Sequence, residues 1–169
     1  MPLTKTQTLE KYITKLGILK PFLHLYYQKL IKKELTLTTI NETDKILFIG
    51  AGAMPLSAIY LKKYTGADVT IIDNNKTMMD NALTYLKKQN TNITCQCCDG
   101  QYIDLKAYTV IFIANQVSPK QHVLKHILIN SSPQTKVFIR GTLTTPINIA
   151  IKRCKHRLTT TKFTNLLRT

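Results

Sequence analysis

Three features of this sequence predict a doubly wound α/β fold, a mainly parallel sheet with helices on both faces. Short strands that are apolar on both sides alternate with helix-period segments from residue 45 onward. The first of those strands runs into a Gly-x-Gly turn. The second and third strands each lead into an aspartate, Asp73 and Asp99. Right-handed crossovers wind such a sheet in two directions, leaving a crevice at the carboxyl ends where the winding reverses.

Two helices are expected first, over 7–16 and 20–35. In the second, Leu23, Tyr26, Tyr27, Leu30 and Ile31 recur at helical spacing between lysines. Residues 36–44 are polar and β-branched, which suits a connector. A strand over 45–49 ends at Gly50, and a helix over 54–64 stops near Gly66. A second strand covers 69–72. The helix over 75–89 carries Met78, Met79, Ala82, Leu83 and Leu86 as its apolar stripe. Strands follow over 93–97 and 108–114, then a helix over 120–129 and a fifth strand over 136–140. Thr145-Pro146 is suited to start a last helix, to about Cys154. Residues 157–164 are a possible sixth strand.

The chain has 169 residues and a formal charge of +15, from 24 Lys+Arg against nine acids. This length fits one domain, with 1–44 as a helical extension and 45–169 as the core. The 44% hydrophobic content argues against a disordered polycation. No apolar run reaches the about 18 residues of a membrane span, and the first residues lack the apolar core of a signal peptide. A cytoplasmic protein without membrane contact is therefore expected. The charge is uneven: residues 116–169 carry ten Lys+Arg and no acid. That stretch would attract the phosphates of RNA or a small anionic substrate, or simply form a solvated surface.

Metal ligation finds little support. Cys95, Cys97 and Cys98 contain a CxxC spacing, but a structural zinc needs a second ligand pair, for which Cys154 and His156 are the candidates. Placement of Cys95 and Cys97 on one face of a strand explains the spacing equally. His122 and His126 share a helix face without a nearby carboxylate, and no metal is expected there.

Ligand chemistry gathers at the strand ends. Gly50 and Gly52 permit a tight turn and close approach of a ligand to the backbone. Pro55 stands where dinucleotide loops carry a third glycine. Asp73 lies where Rossmann-like sites place an acid that accepts from ribose hydroxyls, although a helix N-cap is the simpler role. Asp99 is suited to accept from an adenine amine, with Gly100 and Gln101 beside it; Asp-Gly is also a common turn. After the fourth strand, Asn115 and Gln116 are placed to orient an acceptor amine or hydroxyl, or to cap the next helix. Arg140 ends the fifth strand and is placed to bind a substrate carboxylate or phosphate, or to form a surface ion pair, for which no acid lies nearby in sequence.

These spacings resemble the class I S-adenosylmethionine-dependent methyltransferases, through Phe48-Ile49-Gly50-Ala51-Gly52, Asp73 and Asp99. The resemblance implies S-adenosylmethionine as cofactor, held by Gly50, Ala51, Gly52, Ala53, Met54 and Pro55, by Asp73 with Asn74, by Asp99 with Gly100 and Gln101, and by Ala114. A closer resemblance is to the nicotianamine synthase family. Gly50-Ala51-Gly52-Ala53-Met54-Pro55-Leu56-Ser57 looks like its glycine motif. Tyr27-x-x-Leu30-x-x-x-Glu34-Leu35 is similar to its segment before the sheet. Residues 110–114 and 137–140 look like its fourth and fifth strands. That family moves an aminobutyryl group and has a helical domain before the sheet, with its catalytic glutamate well upstream of the tyrosine segment. Here 26 residues precede Tyr27, and Glu10 is the acid among them. The cofactor site therefore carries over, with Tyr27 as a candidate for closing it, although packing against the sheet is the more usual role of a helix tyrosine.

Methyl transfer to a small anionic substrate or RNA is the expected activity. An activated methyl group needs mainly an aligned nucleophile, so few catalytic residues need appear. The Asn/Asp-Pro-Pro-Tyr and Pro-Cys motifs of two nucleic-acid methyltransferase classes are absent. Aminobutyryl transfer and a non-catalytic RNA-binding or interaction module are the alternatives. The oligomeric state is left open.

Overall fold

In the computed structural model, residues 20–141 and 149–151 are described. The elements run α1 (Lys20–Leu35), β1 (Lys45–Ile49), α2 (Leu56–Thr65), β2 (Asp68–Asp73), α3 (Lys76–Lys88), β3 (Thr94–Cys97), β4 (Val110–Ile113), α4 (Lys120–Asn130), β5 (Lys136–Ile139) and β6 (Ile149–Ile151). The sheet order is β3-β2-β1-β4-β5-β6. Strands β1 to β5 pair in parallel, and β6 is antiparallel to β5. The fold is doubly wound, as the alternation of elements predicts. The reversal falls between β1 and β4, so their carboxyl ends flank the crevice.

Alternation along each strand sorts the core into two layers. Ile46 and Phe48 of β1, Val69 and Ile71 of β2, Val110 and Phe112 of β4, and Phe138 of β5 face α1, α2 and α3. Leu47, Ile49, Ile111, Ile113, Val137 and Ile139 face α4, with Ile103 and Leu105 from the β3–β4 connection. Register places Phe48 beside Phe112, and Phe112 beside Phe138. The three rings stack, with centroids 5.9 and 4.4 Å apart. At the amino ends, Asp44 accepts from the Thr109 hydroxyl at 2.7 Å and lies 3.8 Å from the Lys136 ammonium. These contacts tie the starts of β1, β4 and β5 together.

Local chemistry sets the ends. Gly66 takes φ +70° and its N–H donates to Lys62, an αL cap that stops α2. The Asn75 side chain caps α3 by accepting from Met78 N–H at 3.2 Å, so Asp73 is left for other work. One element differs from expectation. The helix over residues 145–154 is contradicted by strand β6. Ile149 and Ile151 flank Ala150 with β-branched side chains, which suits a strand, and the edge of β5 offers backbone groups to pair with. The helix over 7–16 and the strand over 157–164 lie outside the described residues. Among the described residues, no helix is long and apolar enough to cross a membrane.

His24 on α1 joins two neighbouring helices. Its Nδ1 lies 2.9 Å from the Tyr60 hydroxyl on α2, and its Nε2 lies 3.1 Å from that of Tyr85 on α3. Burial, and then the positive charge of Lys20, hold its pKa below the ordinary 6.5. As pH falls, the unfolded chain therefore takes up this proton first. The stabilisation is complete above about pH 6.5 and declines as pH drops through the lowered folded value. The melting temperature should fall between about pH 7.5 and pH 5.5, and less steeply in His24→Gln. Equal slopes for the two proteins would refute the assignment.

Candidate functional site

The carboxyl ends of β1, β2, β4 and β5 bring most of the sequence-derived candidates to one edge. Gly50 and Ala51 donate to Ile72 O at 2.9 and 3.2 Å, which holds the turn after β1 against β2. Gly52 N–H donates to Asp73 Oδ2 at 3.0 Å, and the other carboxylate oxygen accepts from Asn75 N–H at 3.0 Å. Met54 O accepts from Leu56 N–H at 2.8 Å as the chain enters α2, and Pro55 is the buried residue at its cap. Ala53 is half-buried in the same turn, and Asn74 is exposed beside Asp73.

The two loop glycines do different work. Gly50 has φ +80°, and a Cβ there would lie 2.5 Å from Val117 Cγ2. The loop after β4 thus packs onto Gly50 itself. Gly52 has φ +65°, but its nearest neighbour would be Gln116 Nε2 at 3.8 Å. Its open side faces the crevice, and Gln116 reaches the glycine loop. Ala114 N–H donates to Ile49 O at 2.9 Å, which joins the two strand ends. Gly100 is buried, with Ile49 Cγ2 2.8 Å from where its Cβ would stand. Asp99 beside it accepts from Gln101 N–H at 2.9 Å, and the Gln101 side-chain amide lies 3.2–3.3 Å from both carboxylate oxygens.

Two candidates take up the structural alternatives that the sequence also offered. Arg140 does not present a free charge to an anion. Its Nε and Nη2 donate to the Glu34 carboxylate at 2.7 and 2.8 Å, and its Nη1 donates to Ser57 Oγ at 2.7 Å. The guanidinium also lies 5.0 Å from the Phe48 ring centroid. Of the two roles open to it, substrate binding and an ion pair, the structure shows the ion pair, buried and not on the surface: Glu34, 106 residues away, supplies the counter-charge. Tyr27 packs against the first core layer and meets Tyr26 edge-on at 5.3 Å, a packing role on α1. His126 is likewise engaged, its Nε2 2.8 Å from Ile103 O. Among the described residues, no three His, Cys, Asp or Glu side chains form a metal cluster.

The sequence motifs include Glu34 and Ser57 without giving either a role, and Lys120 stands in none of them. Glu34 had a legible signal: an acid on the apolar stripe of α1, three residues after buried Ile31. Lys120 Nζ donates to Arg140 O at 3.1 Å and to Asn115 Oδ1 at 3.5 Å. Burial pushes its pKa down.

The sheet order and the glycine turn define the Rossmann-like fold of S-adenosylmethionine-dependent methyltransferases, and solved structures agree. A variant of MtNAS in complex with S-adenosylmethionine superposes with a TM-score of 0.65 at 19% identity, covering 76% of this chain and 52% of that one. A methyltransferase of Methanococcus maripaludis, itself assigned only provisionally, gives 0.64 at 19%, covering 83% and 67%. The RNA methyltransferase of Salinibacter ruber, in complex with S-adenosyl-L-homocysteine, gives 0.59 at 20%, covering 66% and 73%. No curated protein sequence matches the chain. The family described as Nicotianamine synthase protein matches residues 6–145, and the chain belongs to that family. It spans about half the length of the MtNAS structures it matches.

Two substitutions test this geometry. Gly50→Ala should destabilise by at least about 1 kcal/mol in urea melts, through the Val117 clash and the positive φ. Glu34→Ala should cost about 3–5 kcal/mol, because it leaves a guanidinium largely buried and unpaired, whereas Glu34→Leu with Arg140→Met should recover most of that. A neutral Glu34→Ala would show that the pair is dispensable.

Proposed function

We propose that the chain is an S-adenosylmethionine-dependent transferase with its cofactor in the crevice at the carboxyl ends of β1 and β2. The observation that carries this reading is the Gly52–Asp73 junction, where an open glycine and a carboxylate meet over the carboxyl ends of β1 and β2, on one side of the winding reversal. The local chemistry fits the group. A carboxylate has about four acceptor sites, and two backbone N–H groups engage Asp73, which leaves capacity for two ribose hydroxyls. Gly52 allows close approach beside them. Asp99 and Gln101 would face the adenine, and Gln116 together with Asn115 would orient the acceptor.

When bound, the sulfonium supplies an already activated carbon, so these residues need only bind, align and exclude water. Methyl transfer is supported by the fold shared with methyltransferases. Aminobutyryl transfer is supported by the family match over residues 6–145. The acceptor class under the first reading is a small anion or RNA.

Calorimetry should show saturable binding of S-adenosylmethionine, weakened at least about tenfold in Asp73→Asn, which keeps an acceptor oxygen for the Gly52 N–H, measured below that variant's own melting temperature. Absence of binding by both the cofactor and its demethylated product would overturn the reading. Chromatography of a turnover mixture separates the two chemistries: S-adenosylhomocysteine marks methyl transfer, and methylthioadenosine marks aminobutyryl transfer.

A further inference from the structure

Among the described residues, Lys120 at the carboxyl edge has no carboxylate beside it. Lys120 is half-buried where the chain leaves β4 and enters α4. Its two hydrogen-bond partners among the described residues, Arg140 O and Asn115 Oδ1, are both neutral oxygens. An ammonium has three donors, so one is left over. No described carboxylate lies within ion-pair distance of it, whereas Arg140 next door is matched by Glu34. Partial burial of an unmatched ammonium costs free energy, and the first turn of a helix is the end that disfavours a cation. A lysine held there by two carbonyl-type oxygens is oriented as well as charged. Asn115, which it touches, adjoins Gln116, and Gln116 reaches the Gly52 loop.

We propose that Lys120 is an oxyanion-binding residue on the acceptor side of the crevice, taking the carboxylate or phosphate of the molecule that receives the transferred group. This rests on the transferase reading for the identity of the ligand as acceptor. The binding itself is a property of the edge formed by β4, α4 and β5. Lys120 contributes a charge-assisted hydrogen bond, and Asn115 holds the ammonium in place.

The test titrates inorganic phosphate and acetate separately into the full chain without S-adenosylmethionine. At least one should bind saturably, and which one binds tells phosphate from carboxylate. Lys120→Gln should weaken that binding at least about tenfold, and Lys120→Arg should restore it to within about threefold. Lys125→Gln, an exposed lysine on the same helix, should leave it unchanged. In the unmutated chain, the 13Cε resonance of Lys120 should move on titration, which gives a readout independent of whether the variant folds. Failure of both anions to bind, an unmoved resonance, or an equal loss in Lys125→Gln overturns the site. An equal loss of S-adenosylmethionine affinity in Lys120→Gln would assign the oxyanion to the cofactor and overturn the acceptor assignment. A chain that binds an anion here but no S-adenosylmethionine keeps the site and refutes the transferase reading.

Discussion

The Glu34–Arg140 pair governs how the rest of this structure sits. Glu34 is 0% exposed, so its carboxylate is tenable only with a matched partner. The bidentate guanidinium provides that match and extends it to Ser57 in the first turn of α2. One side chain thereby connects α1, the end of β5 and the helix that follows the glycine loop. Sliding α1 by a turn would strand two charges, so the pair fixes a register that apolar contacts alone would leave looser. The stacked rings of Phe48, Phe112 and Phe138 form the floor beneath it.

The carboxyl edge divides chemically along the winding reversal. On the β1–β2 side, two backbone N–H groups hold the Asp73 carboxylate, an acceptor. On the β4–β5 side, Asn115, Gln116 and Lys120 offer amides and a positive charge. Gly50 joins the two sides through Val117, while Gly52 keeps the space between them clear. The chain's overall +15 therefore says little about this edge, where a carboxylate, Asp73, and an ammonium, Lys120, stand on opposite sides of the winding reversal.

Elements whose stabilising contacts are local were legible in the sequence. Strand β1 reads as four consecutive apolar residues because both faces are covered. The Gly66 and Asn75 caps mark helix ends by their own backbone chemistry. Acids at strand ends were legible because topology alone places them. Strand β6 was misread because Thr145-Pro146 is a strong helix-start signal, whereas the open edge of β5 is visible only in three dimensions. The partner of Arg140 was hidden for the same reason: an arginine at a strand end fits a ligand or an ion pair equally until the distant Glu34 is brought to it by the fold. Lys120 carried no local signal, since its partners are a main-chain carbonyl and an amide brought in by the fold.

The two contacts that organise the edge close very different lengths of chain. Gly52 and Asp73 are 21 residues apart, while Glu34 and Arg140 are 106 apart. Loop-closure entropy grows with the logarithm of that separation, so the second closure costs about 1.4 kcal/mol more than the first. The glycine–aspartate junction is thus complete within a single β–α–β unit, β1-α2-β2. The surface on the other side of the crevice awaits the arrival of β5, nearly the whole described chain later.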